Sequence, residues 1–75
     1  MKLKKLISKL KEQDGLYICV HSFNKDNIDY ANLELADYTE NLILDKKIKN
    51  KKVHSIKFRY NIQFKDIEII IHIKP

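Results

Sequence analysis

Between His54 and Phe64 every even position is apolar or aromatic: His54, Ile56, Phe58, Tyr60, Ile62 and Phe64. Every odd position is polar: Ser55, Lys57, Arg59, Asn61 and Gln63. Strict period-two alternation over this length predicts a β-strand with one buried and one wet face. Beyond it, Ile67, Ile69, Ile71 and Ile73 alternate with Glu68, Ile70, His72 and Lys74. A reversal at Lys65–Asp66 sets Phe64 against Ile67, Ile62 against Ile69, Tyr60 against Ile71 and Phe58 against Ile73. One register then aligns every apolar pair, and a one-residue slip would break them all. The expectation is a long C-terminal hairpin. Its second face would hold Lys57, Arg59, Asn61, Gln63, Glu68, His72 and Lys74 in water. Ile70, beside Asn61, is the apolar exception on that face.

Leu3, Leu6, Ile7 and Leu10 fall at i, i+3, i+4 and i+7, with Lys2, Lys5, Lys9 and Glu12 off that stripe. This is one apolar face of a helix. Gly15, the chain's one glycine, stands where the helix should stop, and a C′ glycine takes the left-handed conformation at no steric cost. Leu16 to Phe23 is apolar on both alternations, as in an inner strand covered at least partly on both faces. Asn24-Lys25-Asp26-Asn27 is a turn cluster. Asp29 to Ile48 admits two readings. A hairpin around Asp37-Tyr38-Thr39-Glu40 pairs Leu35 with Leu42 and Leu33 with Leu44; a helix would align Ile28, Ala31, Leu35, Tyr38 and Leu42. The hairpin is preferred because it pairs leucines twice in one register. The fold class expected is therefore α+β, in a single domain over residues 1–75. One N-terminal amphipathic helix would pack on an antiparallel sheet of about five strands. Leu3, Leu6, Ile7 and Leu10 would meet Phe58, Tyr60, Ile62, Ile69 and Ile71.

A chain of 75 residues has little room for a large cofactor cavity. Its single cysteine, Cys19, excludes an internal disulfide and fits a reducing compartment. Met1 to Lys11 alternates apolar and basic residues without the apolar run of a signal peptide, and no stretch has the length to span a bilayer. A cytoplasmic location without membrane contact is expected. The net charge is +5 and the pI about 9.4, a balance that suits nucleic acid, an anionic membrane or an acidic protein. Arg59 is the one arginine among 15 basic residues. Scarce glycine, alanine and proline beside abundant lysine, isoleucine and asparagine is the bias of an AT-rich genome, which weakens a functional reading of the charge. Readers of phosphates and bases favour the planar arginine fork.

Two constellations carry chemistry worth weighing. Lys46, Lys47, Lys49, Lys51, Lys52, Lys57, Arg59 and Lys74 form a basic set. Same-face strand residues lie about 6.6 Å apart, comparable to the phosphate step of a nucleic-acid strand. Phe58 and Tyr60 point to the core in the expected register, however, whereas a single-strand binder needs aromatics on its binding face. Lysines that protect a sheet edge are the simpler account. Cys19 and His21 share a strand face, but His54 and His72 fall on opposite faces of their hairpin, so a zinc site lacks ligands. A thiol nucleophile with a histidine base is conceivable, but a small buried hydrophobe is the simpler role for Cys19. Asp26 and Asp29 suit turn capping, and Asp37 and Glu40 flank a loop. No carboxylate pair has the context of acid–base catalysis, and one glycine cannot build a phosphate loop. No enzyme activity, cofactor or metal is expected.

The opening Leu3-x-x-Leu6-Ile7-x-x-Leu10-Lys11, followed by Asp14-Gly15 and a strand, resembles small proteins of phages and mobile elements, among them some anti-CRISPR proteins. The likeness covers roughly the first twenty residues and amounts to an amphipathic helix, a cap and a strand. It departs from acidic DNA-mimicking inhibitors, because this chain is basic. The resemblance implies a class, a non-catalytic protein that acts by occupying another molecule's surface. The expected function is steric docking on a protein partner, as by a host-defence inhibitor, with Tyr38, Lys57, Arg59, Ile70 and His72 as contacts. A nucleic-acid-binding module using the lysine-rich loop and wet sheet face is the alternative. An exposed sheet edge would also admit a homodimer.

Overall fold

The computed structural model describes residues 1–23 and 31–74. The turn cluster at 24–27, with Asp26 and Asp29, lies outside the described residues. Helix α1 (Leu3–Leu10) precedes strands β1 (Tyr17–Phe23), β2 (Ala31–Tyr38), β3 (Val53–Asn61) and β4 (Asp66–Ile73). They form one four-stranded sheet in the order β2-β1-β4-β3. The expected fold class, a helix on a sheet, is observed. The sheet has four strands among the described residues, not five, and it is mixed, because β1 and β4 run parallel.

That parallel pair is the centre of the core. Ile18 lies opposite Ile69, and Val20 opposite Ile71. These side chains pack with Leu3 and Ile7 of α1, with Leu42 and Ile48, and with Ile73. Leu35, Leu44, Leu6, Leu10, Leu16 and Val53 pack around them. Residues 39–52 form no strand, so the hairpin expected over Asp29–Ile48 is replaced. β2 pairs with β1 instead, Leu35 meeting Val20, and Leu42 drops into the core beneath α1. A bulge at Val20/His21 lets Leu35 and Leu33 sit opposite consecutive β1 residues, and Leu33 is exposed.

α1 has no side-chain N-cap bond. Its first free amides are met by the chain before β3: Leu3 N–H donates to the Lys51 carbonyl at 2.8 Å and Lys4 N–H to the Lys49 carbonyl at 2.9 Å. The orphan donors of a helix start are thus satisfied by a loop. Gly15 has φ of +81°, the left-handed conformation expected of it. It stands in the turn beyond the helix, not at its cap, and its N–H donates to Glu40 Oε2 at 2.8 Å.

The C-terminal hairpin forms with a different register. Tyr60 lies opposite Ile67, Phe58 opposite Ile69 and Ile56 opposite Ile71. The pairs stay apolar because β3 has slid by an even number of residues, which preserves faces. The reversal spans Ile62 to Lys65 rather than Lys65–Asp66. Asn61 Oδ1 accepts the N–H groups of Gln63 (3.0 Å) and Phe64 (3.2 Å), and Lys65 takes φ of 51°. Asparagine bonding its own turn favours this longer loop.

The larger correction concerns cover. Ile69 and Ile71 meet the helix as expected, but Phe58, Tyr60 and Ile62 do not and are exposed. A helix is about 10–12 Å wide and strands lie about 4.8 Å apart, so α1 covers roughly two strands. It covers β1 and β4, and β3 is left outside. Ile71→Ala should therefore lower unfolding free energy by about 2–5 kcal/mol in urea denaturation. Phe58→Ser should change it by about 0.5 kcal/mol or less.

Candidate functional site

Two surfaces of the sheet carry chemistry, one on each face. On the helix face, Ile56, Phe58, Tyr60 and Ile67 form an apolar stripe along β3 and the start of β4. Ile62 extends the apolar surface onto the hairpin tip, and exposure across these residues runs from 44% to 81%. Phe58 and Tyr60 alone present on the order of 250 Å². Monomeric proteins rarely leave contiguous apolar patches beyond a few hundred Å² uncovered. Lys4, Ser8 and Lys11 of the helical region share a shallow cleft with Leu42, Ile43 and Leu44, the segment that follows β2. Leu6 and Leu10 lie on the flank of α1 away from that cleft and pack, half-buried, against the core. α1 contains Lys4, Lys5 and Lys9 and no acidic residue.

The other face centres on Glu68. Arg59 Nη2 and Nε donate to its Oε2 at 2.7 and 3.2 Å, and Asn61 Nδ2 donates to its Oε1 at 2.6 Å. The carboxylate side chain is 7% exposed, whereas that of Arg59 is 65% exposed. The Asn61 amide and then the Arg59 guanidinium hold the Glu68 carboxyl below its ordinary range. Glu68 was expected in water; it is buried because β4 is an inner strand. Ile70 is buried for the same reason, opposite Lys57 rather than beside Asn61. Cys19 is buried beside Ile70, and burial, then the Glu68 carboxylate, push its thiol upward against the pull of Arg59. A neutral buried thiol is a poor nucleophile.

The histidines also differ from the sequence reading. A β-bulge between Val53 and Ser55 turns His54 onto the face of His72. Phe23 stacks on His72 with ring centroids 5.1 Å apart and meets His54 edge-on at 5.0 Å, while His21 lies 5.4 Å from His72. Burial first, then His21, Lys57 and His54, lower the His72 pKa, so the neutral ring is favoured. Among the described residues no group of three or more His, Cys, Asp or Glu is placed to hold a metal ion. No helix among the described residues is long and apolar enough to cross a membrane.

The expected partner contacts Tyr38, Lys57, Arg59, Ile70 and His72 do share this face, but Ile70 is in the core and Arg59 is bound to Glu68. Tyr38 ends β2 instead of lying in a loop, and its ring meets Tyr17. The basic set is split. Lys57 and Arg59 lie on β3, whereas Lys47, Lys51 and Lys74 line an open cleft of about 340 Å³ with Phe23 and Glu34. Lys49 and Lys51 use their carbonyls to cap α1, and Lys52 accepts the Lys74 N–H. Lys46 is exposed in the same segment. Sequence reasoning missed the apolar stripe as a surface, since alternation marks a face without showing what covers it. Comparison with known proteins finds no family model, no curated protein and no solved structure that matches the chain.

Glu68 provides a test. Its folded pKa is depressed, so its contribution is fully present above the unfolded value near pH 4.3 and is lost as pH falls through the folded value. Glu68→Gln should lower Tm at neutral pH, and the gap to wild type should close as pH drops below about 4. A gap that persists unchanged in acid would show that the carboxylate charge is not what stabilises this face.

Proposed function

We propose that this is a small non-catalytic binding protein that docks on a protein partner through the apolar stripe of the β3–β4 hairpin. The observation that carries the reading is the exposure of Ile56, Phe58, Tyr60 and Ile67 side by side on one sheet face. Large aromatic side chains at a desolvated centre supply most of the energy of protein interfaces. The stripe shares a sheet face with a helix whose charged residues are all basic, in a chain of net charge +5. The partner chemistry that fits is an apolar segment flanked by Asp or Glu. A second copy fits less well. β3–β3 pairing centred on Phe58 would set Lys57 against the other copy's Arg59, and centring on Lys57 or Arg59 would set like residues together. Like charges directly opposite oppose pairing. Occupation of a partner's surface by such a module, as in an anti-CRISPR-like or other host-defence inhibitor, needs no reaction.

A photo-crosslinking residue placed at position 58 should capture a protein in the source cells, and one at position 57, on the opposite face, should not. Phe58→Glu should reduce capture about tenfold or more. Equal capture from both positions would remove the stripe from the interface.

A nucleic-acid-binding module is the second reading, favoured by the convergence of Lys47, Lys51 and Lys74 on one cleft beside Phe23. It requires DNA or RNA binding that weakens steeply with salt, with the slope falling by about one unit for each lysine removed. Anisotropy titrations of wild type and the Lys47→Glu/Lys51→Glu variant decide it. Salt-independent or absent binding would leave these lysines as edge and loop solvation.

A further inference from the structure

At the hairpin-tip end of the sheet, on the face away from α1, lies a cavity of about 130 Å³ lined by Tyr17, Tyr38, Asn61, Phe64, Asp66 and Glu68. Tyr17 and Tyr38 are cross-strand partners, and their rings stand at 72° with centroids 5.1 Å apart, as two near-perpendicular walls. Phe64 reaches the cavity from the hairpin tip, its backbone fixed by the bond from its N–H to Asn61 Oδ1.

The electrostatics at this end oppose the basic character of the chain. Asp66 and Glu68 line the cavity, and Asp37 precedes Tyr38. Arg59 offsets one of these charges and Lys65, in the turn between Phe64 and Asp66, is a second cation nearby, but neither lines the cavity, whose own charged groups are both carboxylates. Burial, then Cys19, Glu68 and Asp37, hold the proton on the Tyr17 hydroxyl, consistent with a locally negative field. The lysines of residues 46–52 lie at the other end of the sheet, where Lys52 meets Lys74 beyond the end of β4.

The most buried carboxylate at this end, Glu68, already has both oxygens engaged, so a primary ammonium gains no direct bond there. Glu68 Oε2 accepts from Arg59 and Oε1 from Asn61, while Asp66, the second carboxylate of the lining, uses Oδ1 for the Ile67 N–H at 2.8 Å and contributes the charge of the whole group. What remains is ring surface and negative potential. Those attract a cation with an apolar shell, by ring quadrupole and net charge together. An anion would be repelled, and a neutral apolar group would gain nothing from the carboxylates. An apolar cavity of roughly 150 Å³ takes a benzene molecule. The slightly smaller space here suits a trimethylammonium group.

We propose that Tyr17, Tyr38 and Phe64, with Asp66 and Glu68, form an aromatic cage that binds a methylated ammonium group. This site is on the face opposite the apolar stripe and does not depend on the docking reading. Two sources share the chemistry: a trimethylated lysine of a protein chain, and a free choline-type molecule.

The experiment is an NMR titration of the intact protein with four probes. They are choline, its neutral isostere with tert-butyl in place of trimethylammonium, a trimethyllysine peptide and the same peptide unmethylated. Choline and the trimethyllysine peptide should shift the amides of Tyr17, Tyr38, Phe64 and Asp66, and the neutral isostere and unmethylated peptide should bind at least about tenfold more weakly. Tyr38→Leu and Phe64→Leu should each weaken binding about tenfold. Both residues are exposed, so the amides of α1 should keep their positions in these variants. Tyr17→Phe, which keeps the ring, should retain binding. Tighter binding of the modified peptide than of choline identifies a protein source, and the reverse a small molecule; both uphold the cage. An isostere that binds as well as choline, or no shift with either methylated probe at millimolar concentration, overturns it.

Discussion

The parallel seam between β1 and β4 is the constraint on which the rest of the molecule depends. It sets Ile18 against Ile69 and Val20 against Ile71, and it joins the beginning of the chain to its end. Parallel neighbours cannot be linked by a tight turn, so the connection must leave the sheet's centre and return. Here that connection contains β2, the segment at 39–52 and β3. β2 and β3 consequently become the two outer strands, and 39–52 is free to cap α1 and to send Leu42 and Ile48 into the core.

From this follows the unequal covering of the sheet. A single eight-residue helix can shield only the seam and its immediate surroundings. On the β2 side, Leu42, Leu44 and Ile48 supply further cover. On the β3 side nothing among the described residues does so, and a strand with ideal alternation presents its apolar half to solvent. The exposed stripe is thus a product of topology acting on an ordinary amphipathic strand. The opposite face has the reverse arrangement. Its centre, Cys19, Ile70 and Glu68, is shielded by neighbouring side chains and a satisfied carboxylate, and its chemistry is concentrated at the two ends. Histidines and Phe23 gather at one end, and tyrosines with carboxylates at the other.

Particular residues show how far the sequence can be read. Leu3, Leu6, Ile7 and Leu10 state the helix and its buried side, because i, i+3, i+4, i+7 spacing is a property of the local chain. Leu16 to Phe23 states an inner strand, because apolar residues on both alternations have no other economical use. Ile70 is ambiguous for β4. An isoleucine at a wet position beside Ile69 and Ile71 fits a lone exposed residue as well as a strand buried on both faces, so its burial and that of Glu68 were not legible. His54 could not be placed by alternation, since a bulge reverses parity at one residue without a fixed sequence mark. The hairpin register was legible only in parity. Apolar pairs recur at every even shift, and the turn bonds of Asn61 selected among them.

The sequence alone determined the α+β class, the helix, the existence of strands near Tyr17–Phe23, Val53–Asn61 and Asp66–Ile73, and, away from the bulge at His54, which side chains of the C-terminal hairpin share a face, because each is fixed by periodicity within a few residues. Tertiary structure alone decided that β1 and β4 run side by side in parallel, that residues 39–52 cap a helix rather than add strands, and that Phe58 and Tyr60 are surface while Ile70 and Glu68 are interior. Those outcomes depend on which strand becomes the sheet's edge and on how much width one helix can cover, and neither quantity is written in any local segment of the chain.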